Sequence, residues 1–308
     1  MIKALFAADD RNWEQFQAPL AAAFEAAGLA VELSRDVPAP IVDYIIYAPS
    51  SSVQDFTPFT RCKAVLNLWA GVETAVNNPT LKLPFCRMVE PGMSEGMREW
   101  VVGHVMRLHL GMDAHLNNPT RAWAEAFPPL ARSRKVCILG LGELGTACAQ
   151  ALAALGFQVS GYSRSQKEID GITCYSGDTL DQALSGADFV VLLMPYTVAT
   201  ENFLNAHTLS LLAPDACVLN PGRGPLVDDA ALLDALDSGA LRHATLDVFR
   251  IEPLPQDHPF WAHPKITVTP HIASTTRAST ASTVIAENIR RGEAGEPFLH
   301  LVNRDAGY

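Results

Sequence analysis

The sequence lacks the features that mark a membrane or secreted protein. No apolar run reaches the roughly 20 residues that a membrane-spanning helix needs, and the start, MIKALFAADD, has no signal-peptide pattern but is typical of a buried first strand. The six cysteines form no CxxC pair. Cys137 and Cys217 lie in apolar, strand-like runs, so we expect buried, reduced thiols. These absences favour a cytoplasmic protein without a membrane partner.

Positive charge and metal-ligand patterns are also scarce. The 308 residues include 23 Lys and Arg against 33 Asp and Glu, which gives a formal net charge of −10. Nucleic acids and anionic membranes need a basic surface, so neither is expected as a partner. The nine histidines include no HExxH motif or other paired ligand spacing, and we expect no metal site.

Apolar strands that alternate with helices are abundant. Hydrophobic residues make up 48% of the chain, which suits two globular domains at this length. In the first ninety residues, strands are predicted at 2–8, 30–35, 43–48 and 64–68, with an Ala-rich helix that Gly28 ends. Further strands are predicted at Val136–Leu139, Gln158–Tyr162, Phe189–Met194, Cys217–Asn220, Ala244–Val248 and Ile266–Thr269. This alternation indicates parallel sheets covered on both faces.

Two long helices are predicted where the domains join. One begins at Ser94, which we expect to cap it, with Glu95 in the first turn. Its apolar positions cover too much of its circumference for an exposed helix, so we expect it to pack against another domain or a second subunit. The other spans about Thr275–Arg291. We therefore predict two domains, one formed by residues 1–95 and 274–308 and the other by residues 96–273 inserted into it, with a hinge at the two crossings over a cleft.

The stretch VCILGLGELG predicts a dinucleotide-binding turn. Gly140, Gly142 and Gly145 follow a predicted strand and open a helix. In such a turn the first glycine permits a tight bend, the second lets a pyrophosphate approach, and the third lets helix and strand pack closely. Glu143 and Leu144 lie between these glycines and belong to the predicted cofactor site.

The end of the next strand indicates which dinucleotide is bound. NAD-binding units usually place Asp or Glu there to accept hydrogen bonds from the ribose hydroxyls. This sequence has Ser163, Arg164 and Ser165 instead, with Lys167 just beyond. Hydroxyls and two cations attract a 2′-phosphate that a carboxylate would repel. We predict NADP(H), with NAD(H) as the weaker alternative; without a binding role, this stretch would be an ordinary polar turn.

Three later stretches, LNPGRGPLVDD, LDVFRIEPLP and VTPHIAST, lie where open parallel sheets bind ligands. They contribute Arg223, Glu252 and His271. Each residue alone has an ordinary interpretation, as a turn arginine, a solvated loop acid or a strand-end histidine. Together they supply an anion clamp, a proton donor and a carboxylate that orients the imidazole and favours its charged form. Reduction of a 2-oxo acid requires such a set.

With these motifs, the sequence resembles the D-isomer-specific 2-hydroxyacid dehydrogenases, most closely their A-type glyoxylate/hydroxypyruvate reductases. The resemblance covers essentially the whole length, through NLWAGVE, GLGELG, MPYTVAT, GRG, LDVFRIEPLP and HPKITVTPHIA to the terminal NRDAGY. It implies an α/β protein in which a Rossmann-type doubly wound parallel sheet is inserted into a smaller flavodoxin-like substrate domain. It also implies catalytic roles for Arg223, Glu252 and His271.

The resemblance assigns further roles to individual loops. It implies that Trp69, Ala70 and Gly71 hold the substrate carboxylate through backbone N–H groups, together with Arg223 and His271. One departure from the family pattern is Pro221-Gly222, where relatives more often have small or apolar residues before the Arg-Gly pair.

The resemblance also implies contacts with the cofactor and with a second subunit. Pro195 is expected to line the cofactor cleft, Asp247 to lie near the nicotinamide amide, and Ser274 to belong to the cofactor site. Family members are commonly homodimers, which suits the broad apolar face of the helix predicted from Ser94.

The sequence thus predicts NADPH-dependent reduction of glyoxylate to glycolate and of hydroxypyruvate to D-glycerate, with His271 as proton donor. A reductase of a bulkier 2-oxo acid such as phenylpyruvate is an alternative, because Trp69 and Trp100 could either narrow the pocket or stack on a ring. A more remote alternative is a non-catalytic nucleotide-sensing protein, since the scaffold also resembles transcriptional corepressors.

Overall fold

The structure, a computed structural model, describes residues 1–304, so the last four residues of the terminal NRDAGY motif lie outside the described residues. The chain divides into two compact units. Unit 1 consists of Met1–Met93 and the segment that begins at Thr275, and unit 2 consists of Ser94–Ser274. Among the described residues, no helix is both long and apolar enough to cross a membrane.

Unit 1 contains a five-stranded parallel sheet in the order β2-β1-β3-β4-β5 within residues 1–304. Its strands are β1 (Ile2–Ala7), β2 (Val31–Ser34), β3 (Tyr44–Tyr47), β4 (Ala64–Asn67) and β5 (Phe85–Cys86). This is the 2-1-3-4-5 order of flavodoxin-like folds, as predicted. β5 is absent from the predicted strands because two residues are too few to show a periodic pattern.

Unit 1 also contains the helices α1 (Asp10–Ala26), α2 (Glu73–Val76) and α9 (Ala278–Ala294). The carboxylate of Asp9 accepts a hydrogen bond from the backbone N–H of Asn12 at 2.8 Å and caps α1. The predicted stop at Gly28 is confirmed, since this glycine follows the helix with a φ of +67°. α1 and α9 pack against each other, and α9 begins three residues later than predicted.

The helix α3 (Pro91–His109) begins earlier than predicted. A carboxylate oxygen of buried Glu90 accepts a hydrogen bond from the backbone N–H of Gly92 at 2.6 Å. Proline is favoured in the first helical turn because its missing N–H has no partner there anyway. Glu90 therefore satisfies the helix N-terminus, and the prediction that Ser94 caps this helix, with Glu95 in the first turn, was wrong.

Part of the broad apolar surface of α3 packs against other residues of unit 2. Met97, Val101, Val105 and Leu108 on α3 belong to a buried cluster of unit 2 that also contains residues of its central strands. These four side chains therefore pack within unit 2 rather than against another domain, and packing of α3 against a second subunit stays a prediction. α3 ends at His109, and Gly111, with a φ of +63°, separates it from α4 (Met112–Leu116).

Unit 2 contains a seven-stranded parallel sheet in the order β12-β11-β10-β9-β6-β7-β8 within the described part of the chain. Its strands are β6 (Lys135–Leu139), β7 (Gln158–Ser163), β8 (Thr173–Ser176), β9 (Phe189–Leu192), β10 (Ala216–Asn220), β11 (Leu241–Leu246) and β12 (Ile266–Val268). Read from β8, this is the 3-2-1-4-5-6 order of the Rossmann fold with one strand added. The predicted doubly wound sheet is confirmed, although β8, a half-buried edge strand, was not among the predicted strands.

Both faces of this sheet are covered. On β6, Cys137 and Leu139 belong to one buried cluster, whereas Val136 and Ile138 belong to another. Successive side chains of a strand point to opposite faces, so a continuous apolar strand needs a core on each side. The helices of unit 2 beyond α3 and α4 are α5 (Glu143–Ala154), α6 (Leu180–Leu184), α7 (Ala206–Ser210) and α8 (Asp229–Asp237).

The strand cysteines are buried thiols, as predicted. Cys137 and Cys217 are both free and buried. Burial raises the pKa of the Cys137 thiol to about 12 and also raises the pKa of Cys217. A thiol must ionise to act as a nucleophile, so these two cysteines contribute packing rather than chemistry.

Candidate active site

The predicted glycine turn lies between β6 and α5, where the order of the sheet reverses between β6 and its neighbours β7 and β9. Gly140 has a φ of +109°, and a Cβ at this position would lie 2.6 Å from the backbone of Leu193. A Cβ at Gly145 would lie 1.8 Å from the carbonyl oxygen of Gly140. The space around Gly142, the residue before α5, is open, so a phosphate group can approach the backbone and the positive end of the helix.

A cavity of about 280 Å³ adjoins this turn. Lys167, which follows β7, lines the same space as Gly142 and Glu143. The lysine predicted to bind a phosphate and the glycine turn therefore face one cavity. The side chain of Leu144 packs against the buried cluster beneath α5, and a contact of Leu144 with the cofactor stays a prediction. The remaining lining residues are Leu141, Thr146, Ala147 and Gln150.

The turn after β7 is fixed to the sheet, whereas its cations are exposed. The hydroxyl of Ser163 donates a hydrogen bond to the carbonyl oxygen of Ser165 at 2.8 Å. The Gln166 amide donates to a backbone carbonyl of β8 at 3.2 Å and accepts from a hydroxyl of β8 at 2.9 Å. Arg164 and Lys167 lie at the surface. This arrangement fits a 2′-phosphate, which needs accessible donors on a defined backbone.

The three predicted catalytic residues follow the neighbouring strands β10, β11 and β12, whose carboxyl ends share one edge of the sheet. Nδ1 of His271 lies 2.7 Å from Oε2 of Glu252. The other oxygen of Glu252 accepts a hydrogen bond from the backbone N–H of Phe249 at 2.8 Å. An ionised carboxylate can only accept, so Nδ1 of His271 donates. The second ring nitrogen of the half-exposed imidazole remains for a substrate.

His271 has an uncommon backbone conformation that the Asp247 side chain supports. Its φ is +53°, in the left-handed region where a residue with a Cβ is strained by about 1–3 kcal/mol. The Asp247 carboxylate, 0% exposed, accepts hydrogen bonds from the backbone N–H groups of Ile272 and Ala273, each at 2.9 Å. The backbone carbonyl of Asp247 accepts from the N–H of His271 at 2.8 Å. Asp247 therefore shapes the loop that presents the imidazole.

The same geometry bears on the cofactor role expected for Asp247. Both of its carboxylate oxygens bind the backbone of the His271 loop, and one also accepts from the Thr269 hydroxyl at 2.5 Å. Shaping this loop was not part of the sequence prediction. A contact between Asp247 and the nicotinamide amide stays a prediction.

Arg223 follows β10 between two glycines that allow close backbone contacts. A Cβ at Gly222 would lie 2.7 Å from the carbonyl oxygen of Leu192, and a Cβ at Gly224 would lie 2.0 Å from the carbonyl carbon of Phe249. The Gly-Arg-Gly sequence therefore lets the Arg223 loop lie directly against the loop that leads to Glu252. Glycine at position 222 suits the structure, although it departs from the family pattern.

Asn220, which sequence reasoning missed, holds the Arg223 loop. Asn220 ends β10 and is buried. Its side-chain amide donates to the carbonyl oxygen of Arg223 at 2.9 Å, and its Oδ1 accepts from the backbone N–H of Gly222 at 3.1 Å. The sequence does contain a signal for this role, because Asn220 is a polar residue at the end of an otherwise apolar strand.

The other predicted residues lie in separate loops. Pro195 follows β9, and its carbonyl oxygen accepts a hydrogen bond from the Thr200 hydroxyl at 2.9 Å. Ser274 is the last residue of unit 2. In unit 1, the loop after β4 contains Trp69, Ala70 and Gly71.

Comparison with known proteins identifies relatives over most of the chain. The model of the family described as D-isomer specific 2-hydroxyacid dehydrogenase, NAD binding domain, matches residues 103–273. The glyoxylate/hydroxypyruvate reductase A of Serratia proteamaculans (strain 568) is 38% identical over 257 residues, which cover 80% of this chain and 82% of that protein. The protein of the same name from Yersinia enterocolitica is 37% identical over 255 residues, with the same two shares.

Solved structures resemble the whole chain. A D-isomer specific 2-hydroxyacid dehydrogenase from Xanthobacter autotrophicus Py2 in complex with NADPH and MES is 36% identical, with a TM-score of 0.92 and coverage of 100% of this chain and 99% of that chain. An NADPH-dependent glyoxylate/hydroxypyruvate reductase from Sinorhizobium meliloti in complex with NADP and sulfate is 32% identical, with a TM-score of 0.87 and the same coverage.

Replacement of Asp247 by Asn tests the support of the His271 loop. Both oxygens of Asp247 accept backbone hydrogen bonds, so an amide, which has one acceptor oxygen, leaves at least one buried N–H unpaired. We expect Asp247→Asn to lower the free energy of unfolding by about 1–3 kcal/mol. We also expect a lower kcat, because His271 is less well positioned. Urea unfolding and steady-state kinetics measure the two effects.

Asp228→Asn provides the matched control. Asp228 caps α8 by accepting two backbone N–H bonds on a single oxygen, Oδ1. Asparagine can make both bonds and is an equally good helix cap, so this variant should unfold and turn over like the wild type. An Asp247→Asn enzyme with unchanged stability and kcat would show that the loop does not depend on the carboxylate.

Proposed function

This chain belongs to the D-isomer-specific 2-hydroxyacid dehydrogenase family, and we propose that it is an NADPH-dependent reductase that converts glyoxylate to glycolate and hydroxypyruvate to D-glycerate. The observation that carries the proposal is the Glu252–His271 pair, with 2.7 Å between carboxylate oxygen and ring nitrogen. The substrates named for the relatives and the NADPH and NADP in the similar solved structures support it. The D configuration of glycerate is proposed from family membership.

In the proposed reaction, the chain's own residues bind the anion and supply the proton. A bound dihydronicotinamide supplies the hydride that reduces the carbonyl carbon. The protonated His271, held by Glu252, donates its proton to the carbonyl oxygen as negative charge develops there. Arg223 offers a planar pair of donors to the substrate carboxylate and stabilises the oxygen. The 2-oxo acid, NADPH and one proton thus yield the 2-hydroxy acid and NADP⁺.

The glycine turn and the end of β7 would hold the cofactor. The pyrophosphate would lie against Gly140, Gly142 and the N-terminus of α5. Gly142 has no side chain, and the space around it is open. Arg164 and Lys167 would pair with the 2′-phosphate, and a carboxylate that would repel it is missing from the end of β7. The contacts of Pro195, Asp247 and Ser274 with the cofactor are part of the same proposal.

Turnover by the wild type, and the loss of turnover in His271→Ala, test the proposed reaction. We expect the wild type to oxidise NADPH when glyoxylate or hydroxypyruvate is added. Replacing His271 by Ala should lower kcat by about 10²- to 10⁴-fold, the usual loss for a general acid, and should leave NADPH binding nearly unchanged. Absorbance of NADPH and its fluorescence on binding measure these quantities.

His207→Ala is the matched control. Like His271, His207 lies in unit 2 with a carboxylate beside it, since its Nε2 is 3.2 Å from Asp181. It should keep the wild-type kcat, because it is a surface pair outside the proposed site. Near wild-type turnover in His271→Ala would remove this histidine from the mechanism. A wild type that reduces phenylpyruvate but neither small acid would instead favour a bulkier substrate, and binding without turnover would favour a sensor.

Cofactor preference tests the assignment of the turn after β7. We expect the wild type to prefer NADPH over NADH by at least about tenfold in kcat/KM, since a hydrogen bond to a charged group contributes about 1.5–3 kcal/mol. Combining Ser163→Asp with Arg164→Ala should narrow or reverse this preference. The new carboxylate would accept the ribose hydroxyls of NADH and repel the phosphate of NADPH. The change should appear mainly in the KM for the cofactor.

A charge-matched control distinguishes an effect of the residues at the end of β7 from an effect of the net charge of the protein. Ser238→Asp with Arg132→Ala alters the net charge by the same amount at exposed positions away from the end of β7, and it should leave the cofactor ratio unchanged. Equal use of NADH and NADPH by the wild type would contradict the proposal. So would a ratio that the Ser163/Arg164 double variant does not move.

We further propose that the active species is a homodimer joined through an exposed apolar arm. This arm consists of residues 117–130, which form neither helix nor strand. Trp123 is 93% exposed, Phe127 is 85% exposed and Leu130 is also exposed. Large aromatic side chains that protrude in this way are typical of interface anchors. The same arm on two copies would form a self-complementary two-fold contact, as is usual for homodimers.

Removal of the two aromatic side chains tests the arm. We expect the wild type to have twice the mass of one chain in light scattering coupled to size exclusion. Trp123→Ala combined with Phe127→Ala should shift it toward the mass of one chain, because the apolar area that drives association is lost. Trp261→Ala, which also removes an exposed indole from unit 2, should remain a dimer. A monomeric wild type, or a double variant that stays dimeric, would refute this role of the arm.

A further inference from the structure

The loop after β4 in unit 1 has its carbonyl groups held on one side. The side-chain amide of Asn67 donates to the carbonyl oxygen of Trp69 at 2.9 Å and to that of Gly71 at 3.1 Å. The Trp69 carbonyl also accepts from the backbone N–H of Met88 at 3.0 Å. Two peptide units of this loop are therefore fixed in orientation by one side chain.

The opposite side of these peptide units presents N–H groups. In a trans peptide the N–H points away from the preceding carbonyl. With the Trp69 and Gly71 carbonyls turned toward Asn67, the N–H groups of Ala70 and Val72 must point away from it. Within residues 1–304 neither of these N–H groups donates a hydrogen bond. The loop thus offers unpaired backbone donors, a pattern that binds anions.

The surroundings of Asn67 show that its side-chain amide is oriented to hold the two loop carbonyls. Asn67 ends β4 and is only 1% exposed. Its Oδ1 is buried and has no hydrogen-bond partner in the described part of the chain. Turning the amide over would place this oxygen against two carbonyl oxygens, which repel it. The side chain therefore leaves one acceptor unsatisfied, an uncommon state for a buried polar atom, while both donors hold the loop.

We propose that Asn67 is a positioning residue for the substrate carboxylate. By holding the Trp69 and Gly71 carbonyls, it pre-orients the N–H groups of Ala70 and Val72 toward the anion. This inference rests on the proposed function and on the role that the family resemblance implies for the loop at Trp69–Gly71, which would bind the carboxylate of a 2-oxo acid beside Arg223. It adds Val72 to the donors of that loop. Pre-orientation matters because a loop that is already ordered loses less conformational entropy on binding.

Asn220 in unit 2 supports this interpretation by a parallel arrangement. Asn220 also ends a parallel strand, is also 1% exposed, and also donates its amide to a carbonyl of the following loop, that of Arg223. Each unit therefore has a buried asparagine at a strand end that fixes the loop in which an anion-binding group is predicted.

Substitution of Asn67 tests the proposal through the KM for the substrate. We expect Asn67→Ala to raise the KM for glyoxylate about tenfold or more, because the N–H groups are no longer held toward the anion. The KM for NADPH should stay within about twofold. Asn67→Ser, which keeps one donor, should give an intermediate KM and provides a second variant if the alanine protein fails to fold. The Kd of oxalate, measured by calorimetry in the presence of NADP⁺, should rise in the same order.

Asn288→Ala is the matched control. Asn288 is a buried asparagine of unit 1, and its side chain binds both backbone groups of Leu299 rather than the loop after β4. It should lose stability to a similar extent and keep the wild-type KM and oxalate Kd. An active wild type whose Asn67 variants keep KM and Kd would overturn this inference alone, as would an equal rise in Asn288→Ala. A wild type that neither reduces 2-oxo acids nor binds oxalate would overturn the inference and the proposed function together.

Discussion

The buried carboxylate of Asp247 is the interaction on which the candidate chemistry depends. It binds the backbone on the C-terminal side of His271 and so supports a left-handed residue at the position where an imidazole must be presented. A strain of about 1–3 kcal/mol is a considerable part of the roughly 5–15 kcal/mol by which domains are stable. The loop persists because both carboxylate oxygens are used and are shielded from water.

The same construction recurs at other strand ends. In parallel sheets covered on both faces, inner strands such as β4 and β10 are buried to the last residue, so the loops that follow them start inside the protein. Buried backbone groups need hydrogen-bond partners, and a polar side chain at the strand end can supply them. Asn67, Asn220 and Asp247 do so for three loops. Buried residues thus fix the backbone conformation of these loops, whereas the side chains of Glu252 and His271 are more exposed and are available for the proposed chemistry.

Anion binding in this protein has to be local. The chain has a net charge of −10, so its overall field does not favour an anionic acid or a dinucleotide phosphate. The features that fit anions are instead short-range: the N-terminus of α5, the cations Arg164 and Lys167, the guanidinium of Arg223, and the N–H groups of the loop after β4. Such donors act within a few ångströms and are little affected by distant charge in salt solution.

The sequence by itself determined the elements that depend on local patterns. Apolar periodicity located ten of the strands in both sheets, and the glycine spacing located the turn between β6 and α5, because these signals lie in contiguous residues. It also yielded Arg223, Glu252 and His271 as a set. The short strands β5 and β8 were missed, since they lack a long apolar run. The start of α3 was misplaced because its cap is a glutamate that precedes Pro91 rather than a serine.

Only the tertiary structure decided how the loops are held. Asp247 binds backbone groups 25 and 26 residues further along the chain, and the loop that Asn67 orients also receives a hydrogen bond from Met88. No periodic pattern encodes such pairs, because they depend on which strands are neighbours and on their register. Buried hydrogen bonds between distant segments form only once the sheet has brought the strand ends together, which is why these positioning residues became visible in the fold.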